Sequence, residues 1–274
     1  MALITGRPRR LGRWMSVGIA GVLLATAGAA QAQWLNYPTP GIPRTSDGKP
    51  NLSAPAPRTA DGKPDLSGLW QADDLARGDG RHFFDIAQDL KAGELSPLPW
   101  ADALQRERED NNHKDDPYAH CVPPGVPRIN NTLHPFKIIQ IPQLTVMLHE
   151  LATGSTFRQV FTDGRPLPKD PQPTWLGYSV GRWDGDTLVV DTTGFNDGGW
   201  LDTRKGRPHS DLLHVTERFR RRDFGHMNID VTIDDAKAYT KPWTVKLGLL
   251  LLPDTELLEG ACENDQDRDH LVGK

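Results

Sequence analysis

His214, His226, Asp191 and Asp230 are the side chains of this sequence best suited to moving protons. An imidazole titrates near neutral pH, and a carboxylate beside it fixes the ring and its tautomer. Two histidines can divide the roles of acid and base, with Asp191 or Asp230 orienting one of them. All four sit in stretches of two-residue alternation, in which neighbours point to opposite faces of a strand. In His226–Asp234 one face carries Met227, Ile229, Val231 and Ile233, the other His226, Asn228, Asp230 and Thr232. In Leu212–Arg222 one face carries Leu213, Val215, Glu217 and Phe219, the other His214, Thr216, Arg218 and Arg220. Two arrangements follow. Polar faces turned inward bring His214, Arg218, His226, Asp230 and Asp191 to one cavity. Apolar faces turned inward leave Glu217 as a carboxylate among hydrophobes, which has to be paired or protonated.

A second chemistry is recognition of a small, partly apolar molecule. Tyr178, Trp183, Trp200 and Trp243 are the expected aromatic wall, with Arg218 or His214 orienting a polar end and Glu217 beside them. Other motifs are set aside. His209-x4-His214-x2-Glu217, with His226, has imidazoles and a carboxylate, but His214 and Glu217 fall on opposite strand faces, so no metal is expected. Gly177-Tyr178-Ser179-Val180-Gly181 spells a nucleophile elbow, yet Ser179 is mid-strand and no helix follows it. His149-Glu150 reads as ordinary strand surface. Neither a phosphate loop nor a dinucleotide fingerprint occurs, so no cofactor is expected.

The elements that must position these groups are strands. Alternating segments run Phe136–Ile141, Thr145–Glu150, Phe157–Thr162, Trp175–Trp183, Thr187–Gly194, Leu212–Arg222, His226–Asp234, Trp243–Leu252 and Leu257–Glu263. A further segment surrounds Trp70. Asp184-Gly185-Asp186 and Asp223-Phe224-Gly225 are hairpin turns. The pattern predicts an all-β antiparallel meander closed into a barrel, because closure removes exposed edges; a β-sandwich is the alternative. Residues 68–274 form that domain, with a loop insertion at 83–135 holding one or two short helices, Phe84–Leu90 and Pro99–Glu109. Asn196–Asp202 is a loop over a barrel mouth.

Residues 33–67 form a Pro-rich extended arm with an internal echo: Arg44–Ser53 (RTSDGKPNLS) recurs as Arg58–Ser67 (RTADGKPDLS). Before it, Arg7, Arg9, Arg10 and Arg13 precede an apolar run and Ala30-Gln31-Ala32, the layout of a signal peptide over residues 1–32. The run is too short to span a bilayer, so no stable membrane span is expected after cleavage.

Of 274 residues, 25% are charged and 37% hydrophobic, with a net charge of −4. That mixture suits an ordinary folded domain. Removing residues 1–32 takes away four arginines and no acid, moving the net charge to −8. So acidic a chain is repelled by nucleic acid, and the Arg218–Arg222 cluster reads as a solvated strand end. Cys121 and Cys262 are the two cysteines. In an oxidising compartment they are expected to form a disulfide, closing a loop of about 140 residues worth about 4–5 kcal/mol in the chain-entropy model.

Arg58–Trp70 (RTADGKPDLSGLW), Cys121–Arg128 (CVPPGVPR), Phe161–Pro166 (FTDGRP), Trp183–Thr192 (WDGDTLVVDT) and His214–Arg221 (HVTERFRR) together form a familiar pattern. It resembles an uncharacterised family of exported soil-bacterial proteins, across nearly the whole mature chain. The resemblance implies a bacterial periplasmic or secreted protein and carries no activity with it. Separately, Gly68-Leu69-Trp70 is similar to the opening of lipocalin-like barrels. The leading expectation is a periplasmic or secreted barrel that binds a small molecule in an aromatic-lined pocket. The alternatives are a cofactor-free lyase, isomerase or hydrolase on the same barrel, and a structural envelope protein.

Overall fold

Each alternating segment from Phe136 to Leu251 becomes a strand, because every second side chain is apolar and needs a common side to be buried on. The computed structural model describes residues 37–151 and 157–260. The expected signal peptide, Cys262 and the end of the last expected strand lie outside the described residues. Nine strands form the sheet: β1 (Gly68–Ala72), β2 (Phe136–Ile141), β3 (Leu144–His149), β4 (Phe157–Phe161), β5 (Tyr178–Asp184), β6 (Thr187–Thr193), β7 (His214–Arg221), β8 (His226–Asp234) and β9 (Trp243–Leu251). Each pairs with the next, and β9 pairs back with β1, so the sheet is a closed barrel. The all-β barrel expected from the pattern is the observed fold.

Two details differ from the expected meander. β4 and β5 pair in parallel, over only Val160↔Ser179 and Phe161↔Val180. Residues 162–177, which hold Pro166, Pro168, Pro171 and Pro173, carry the chain back to its starting end rather than through a hairpin. The expected strand at Leu257–Glu263 does not form over its described part, residues 257–260; the barrel closes without it. Three helices lie between β1 and β2, α1 (Asp73–Ala76), α2 (Arg81–Phe84) and α3 (Pro99–Asp110); the first precedes the expected insertion and the last is close to its expected position. A turn rather than a helix follows Phe84.

The barrel interior is packed. Trp70, Phe136, Ile138, Met147, Phe219, Met227, Ile229 and Ile233 are fully buried inside it. The apolar faces of β7 and β8 therefore point inward, which decides between the two arrangements. The mouth, where β7 begins, is closed by residues 111–135 and 195–213. All four residues of the 3-10 turn Arg128–Asn131 are buried there. Buried charges in this plug are paired: Arg128 donates to both Asp116 oxygens at 2.8 and 2.6 Å, and Arg207 reaches Asp85 at 2.6 Å and also Asp202.

The opposite end is closed by the arm, which is folded rather than extended. Both copies of the echo make the same turn. Thr45 N donates to Lys49 O and Thr59 N to Lys63 O, while Gly48 and Gly62 take φ of +82° and +81°, values that favour glycine. Each copy's arginine holds a barrel-side aspartate, Arg44 with Asp254 at 2.5 Å and Arg58 with Asp186 at 2.7 Å. Between the copies, Leu52 lies so close to Gly225 that a Cβ there would come within 2.5 Å of it.

Candidate functional site

The inward faces of β3 to β7 carry what the rest of the lumen lacks. Thr145, His149, Arg158, Ser179, Thr192 and Glu217 are all buried there. Arg158 is the hub. Its Nε donates to Ser179 Oγ at 3.0 Å, and its Nη2 donates to Thr192 Oγ1 at 2.9 Å and to Glu217 Oε2 at 2.5 Å. From the mouth plug, Asn130 Nδ2 donates to the other Glu217 oxygen at 2.7 Å. The carboxylate flagged by its place on an apolar face is thus paired, as an interior charge must be.

Several polar atoms of this layer have no hydrogen-bond partner among the described residues: Arg158 Nη1, Asn130 Oδ1, and both ring nitrogens of His149. The His149 ring stacks on Phe136, with centroids 4.9 Å apart. Burial, reinforced by the nearby Arg158 guanidinium, lowers its pKa to about 3, so it is neutral at ordinary pH and offers one donor and one acceptor. An orphaned buried polar atom costs about 1–3 kcal/mol, a cost found where structure answers to something other than stability.

A cleft of about 280 Å³ lies along the short β4–β5 pairing. Phe157, Phe161, Trp175 and Tyr178 are its aromatic wall, and Arg158 and Ser179 line it as well. Phe161 and Tyr178 stack at 5.3 Å, and Arg165 lies over Phe161 and donates to Tyr178 Oη at 3.0 Å.

The sequence-predicted residues are distributed differently. His214 and Asp191 do meet, at 3.0 Å, on the outer face, where Asp191 also accepts from Thr216 at 2.8 Å and from Arg182. Those donors hold the Asp191 carboxyl below the usual carboxylate range, against the opposing effect of its partial burial. His226 is at the other end of β8, bonded to Asp223 at 2.7 Å. It lies about eight residues of strand from His214, roughly 26 Å, so the two rings cannot serve one substrate. Asp230 is opposite Arg218 on the outer face, and Arg218 is bonded to Asp184 at 2.8 Å.

The expected aromatic pocket is dispersed as well. Trp243 packs edge-on against Tyr239 in the core, and Trp200 lies under Arg108 in the mouth plug. Trp183 sits at the arm end beneath Lys63. Tyr178 alone of the four lines the cleft. These placements follow from the apolar faces pointing inward. His149, read as surface, is fully buried for the same reason: it shares the Thr145–Met147 face.

Arg158 and Asn130 were missed. Strict alternation in Phe157–Phe161 opposes Arg158 and Val160 to Phe157, Gln159 and Phe161. Hydrophobicity alone puts the phenylalanines inside, whereas the structure puts them on the cleft. The available signal was Glu217, an inward carboxylate in need of a cation. Among the described residues, no group of three or more His, Cys, Asp or Glu side chains could hold a metal ion. Ser179 points into the barrel and is committed to Arg158 and Thr192, consistent with its exclusion as a nucleophile. Cys121 closes a 3-10 turn at φ +62°, and its expected partner lies outside the described residues. No helix among the described residues is long and apolar enough to cross a membrane.

Comparison with known proteins leaves the site to speak through its geometry. No protein-family model and no curated protein matches this chain.

Proposed function

We propose that this chain is an exported small-molecule-binding barrel whose site is the β4–β5 cleft and the polar layer beneath it. One observation carries the reading: an aromatic-walled cleft lined by a buried arginine whose Nη1 has no partner among the described residues. The wall takes an aromatic or flat apolar body, and the arginine takes an acceptor on its end. Charge narrows the choice further. Arg158 is already neutralised by Glu217 and His149 is neutral, so a ligand carboxylate would add an uncompensated buried charge. The favoured ligand end is an uncharged hydroxyl, carbonyl or amide. Export rests on the sequence of residues 1–32.

Quenching of tryptophan fluorescence tests this, since Trp175 lines the cleft. 4-Hydroxybenzaldehyde and 4-hydroxybenzamide are expected to bind at least about tenfold more tightly than 4-hydroxybenzoate, a difference of about 1.4 kcal/mol. The Arg158→Leu/Glu217→Leu double variant, which removes both charges together, is expected to fold and to lose binding. Equal affinity for the carboxylate, or undiminished binding by the folded double variant, overturns the reading.

A further inference from the structure

The Arg218–Arg222 cluster takes no part in the cleft, yet it is not merely a solvated strand end. On the outer face of β7, Arg218 and Arg220 stand two residues apart, and Arg222 continues the row; two residues of strand span about 6.7 Å. Across the sheet the register sets Arg220 opposite Asn228 and Gly248, and Arg218 opposite Asp230 and Lys246. Two furrows run along this face and share Arg220 and Asn228. One, of about 530 Å³, lies between β7 and the arm and is walled by Pro55, Pro57 and Pro64. The other, of about 460 Å³, continues over β8 and β9 to Lys246.

The charges here are unevenly used. Arg58 is taken by Asp186, Arg218 by Asp184, and Asp73 beside Gly248 by Arg77. Arg221, the cluster's inward member, is turned to the backbone carbonyls of Asp65 and Phe224. Arg220, Arg222 and Lys246 are exposed and enter no ion pair among the described residues. Three cations without an ion-pair partner among the described residues thus line two adjoining furrows on a chain whose net charge is negative.

From this placement we infer a second binding site, for an acidic oligosaccharide. Unpaired guanidinium groups take carboxylate or sulfate groups in bidentate fashion. The remaining lining selects among anions. Asp230 and Asp186 repel a bare polyanion, but with Asn228 and Thr187 they can bond sugar hydroxyls. The proline wall offers a flat apolar surface for a pyranose ring. The groove lies on the outside of the sheet and shares no lining residue with the cleft, so it stands apart from the small-molecule reading.

Isothermal titration of the full chain with tetragalacturonic acid, a carrageenan-derived sulfated tetrasaccharide, maltotetraose and inorganic polyphosphate tests the inference. Binding is expected for at least one of the two acidic sugars, and which one tells carboxylate from sulfate recognition. Affinity should fall as salt rises, because the contacts are exposed charges. The Arg220→Ser/Arg222→Ser double variant should weaken it tenfold or more while leaving the melting temperature and the cleft's ligand titration unchanged. Lys246→Ser is a second, independent variant and should weaken it several-fold. Failure of both acidic sugars, equal binding of maltotetraose or polyphosphate, or indifference to both variants overturns the inference.

Discussion

The two halves of the barrel lumen are built to different rules. β8, β9, β1 and β2 present Met227, Ile229, Val231, Ile233, Val245, Leu247, Leu249, Trp70, Phe136 and Ile138 inward, an apolar lining throughout. β3 to β7 interrupt a similar lining with His149, Arg158, Ser179, Thr192 and Glu217. The strand pairing differs in parallel. β7, β8 and β9 are registered over eight residue pairs at each junction and β1 over three with each neighbour, whereas β4 and β5 share two. The longest ladders flank the apolar lining, and the shortest falls among the strands that hold most of the buried polar side chains. Buried polar groups and the shortest strand pairing fall in the same place, and the proposed site rests on that coincidence.

The largest expected effect breaks this comparison at its centre. Arg158→Leu alone leaves Glu217 buried with only Asn130, and is expected to cost about 3–5 kcal/mol in urea unfolding. Adding Glu217→Leu should restore most of that loss, because replacing both members of a buried pair with apolar groups is often neutral. A double variant no more stable than the single would mean that the pair itself holds the polar half together. In the apolar half, Ile229→Ala is expected to cost about 2–5 kcal/mol, and no second substitution of a charge can rescue it.

A smaller effect comes from His149 and depends on pH. Its pKa is lowered from an ordinary value near 6.5 to about 3, so the unfolded chain takes up the proton first as pH falls. Its neutral burial is therefore fully tolerated above about pH 6.5 and is penalised progressively down to about pH 3, at roughly 1.4 kcal/mol per pH unit. His149→Phe should remove that slope. It should also raise stability at pH 7 by about 1–3 kcal/mol, since two unsatisfied ring nitrogens disappear. Melting curves of both proteins between pH 4 and 8 check the difference; parallel curves would mean that His149 is not what the acid limb reports.

How much of this was legible beforehand follows from which forces are local. Alternation is local, and it marked the nine strands that form and both hairpins, along with a strand at Leu257–Glu263 that does not form over its described part. It also marked Glu217 as needing a partner. Which face turns inward is decided by the whole barrel, and that choice sent His214, His226 and Asp230 outside. The parallel seam was hidden because residues 163–174 lie between two expected strands, and the direction in which a loop returns is not written in its composition. Arg158 was hidden by its two phenylalanine neighbours, whose exposure makes sense only beside the cleft. The arm's echo was visible as a repeat, but its pinning by Arg44 and Arg58 needed aspartates far away in the sequence.

The smallest effect is the sharpest test of the contrast between the halves. Thr192→Val keeps side-chain volume and removes a hydroxyl that accepts from Arg158 and bonds Ser179. Two bonds are lost, but Arg158 Nη2 keeps Glu217 and Ser179 Oγ keeps Arg158 Nε, so neither partner is orphaned and the expected cost stays at about 0.5–1.5 kcal/mol. The reverse exchange in the apolar half, Val245→Thr, puts a hydroxyl where the register places Val231 opposite and Leu247 and Trp243 lie on the same face. Apart from the indole N–H of Trp243 that hydroxyl meets an apolar lining, and it should cost more, about 1–3 kcal/mol. If the two halves are as different as their linings suggest, chemical unfolding ranks Val245→Thr below Thr192→Val. An equal ranking would mean that water reaches the apolar side as freely as the seam, and the division of the lumen would be one of sequence only.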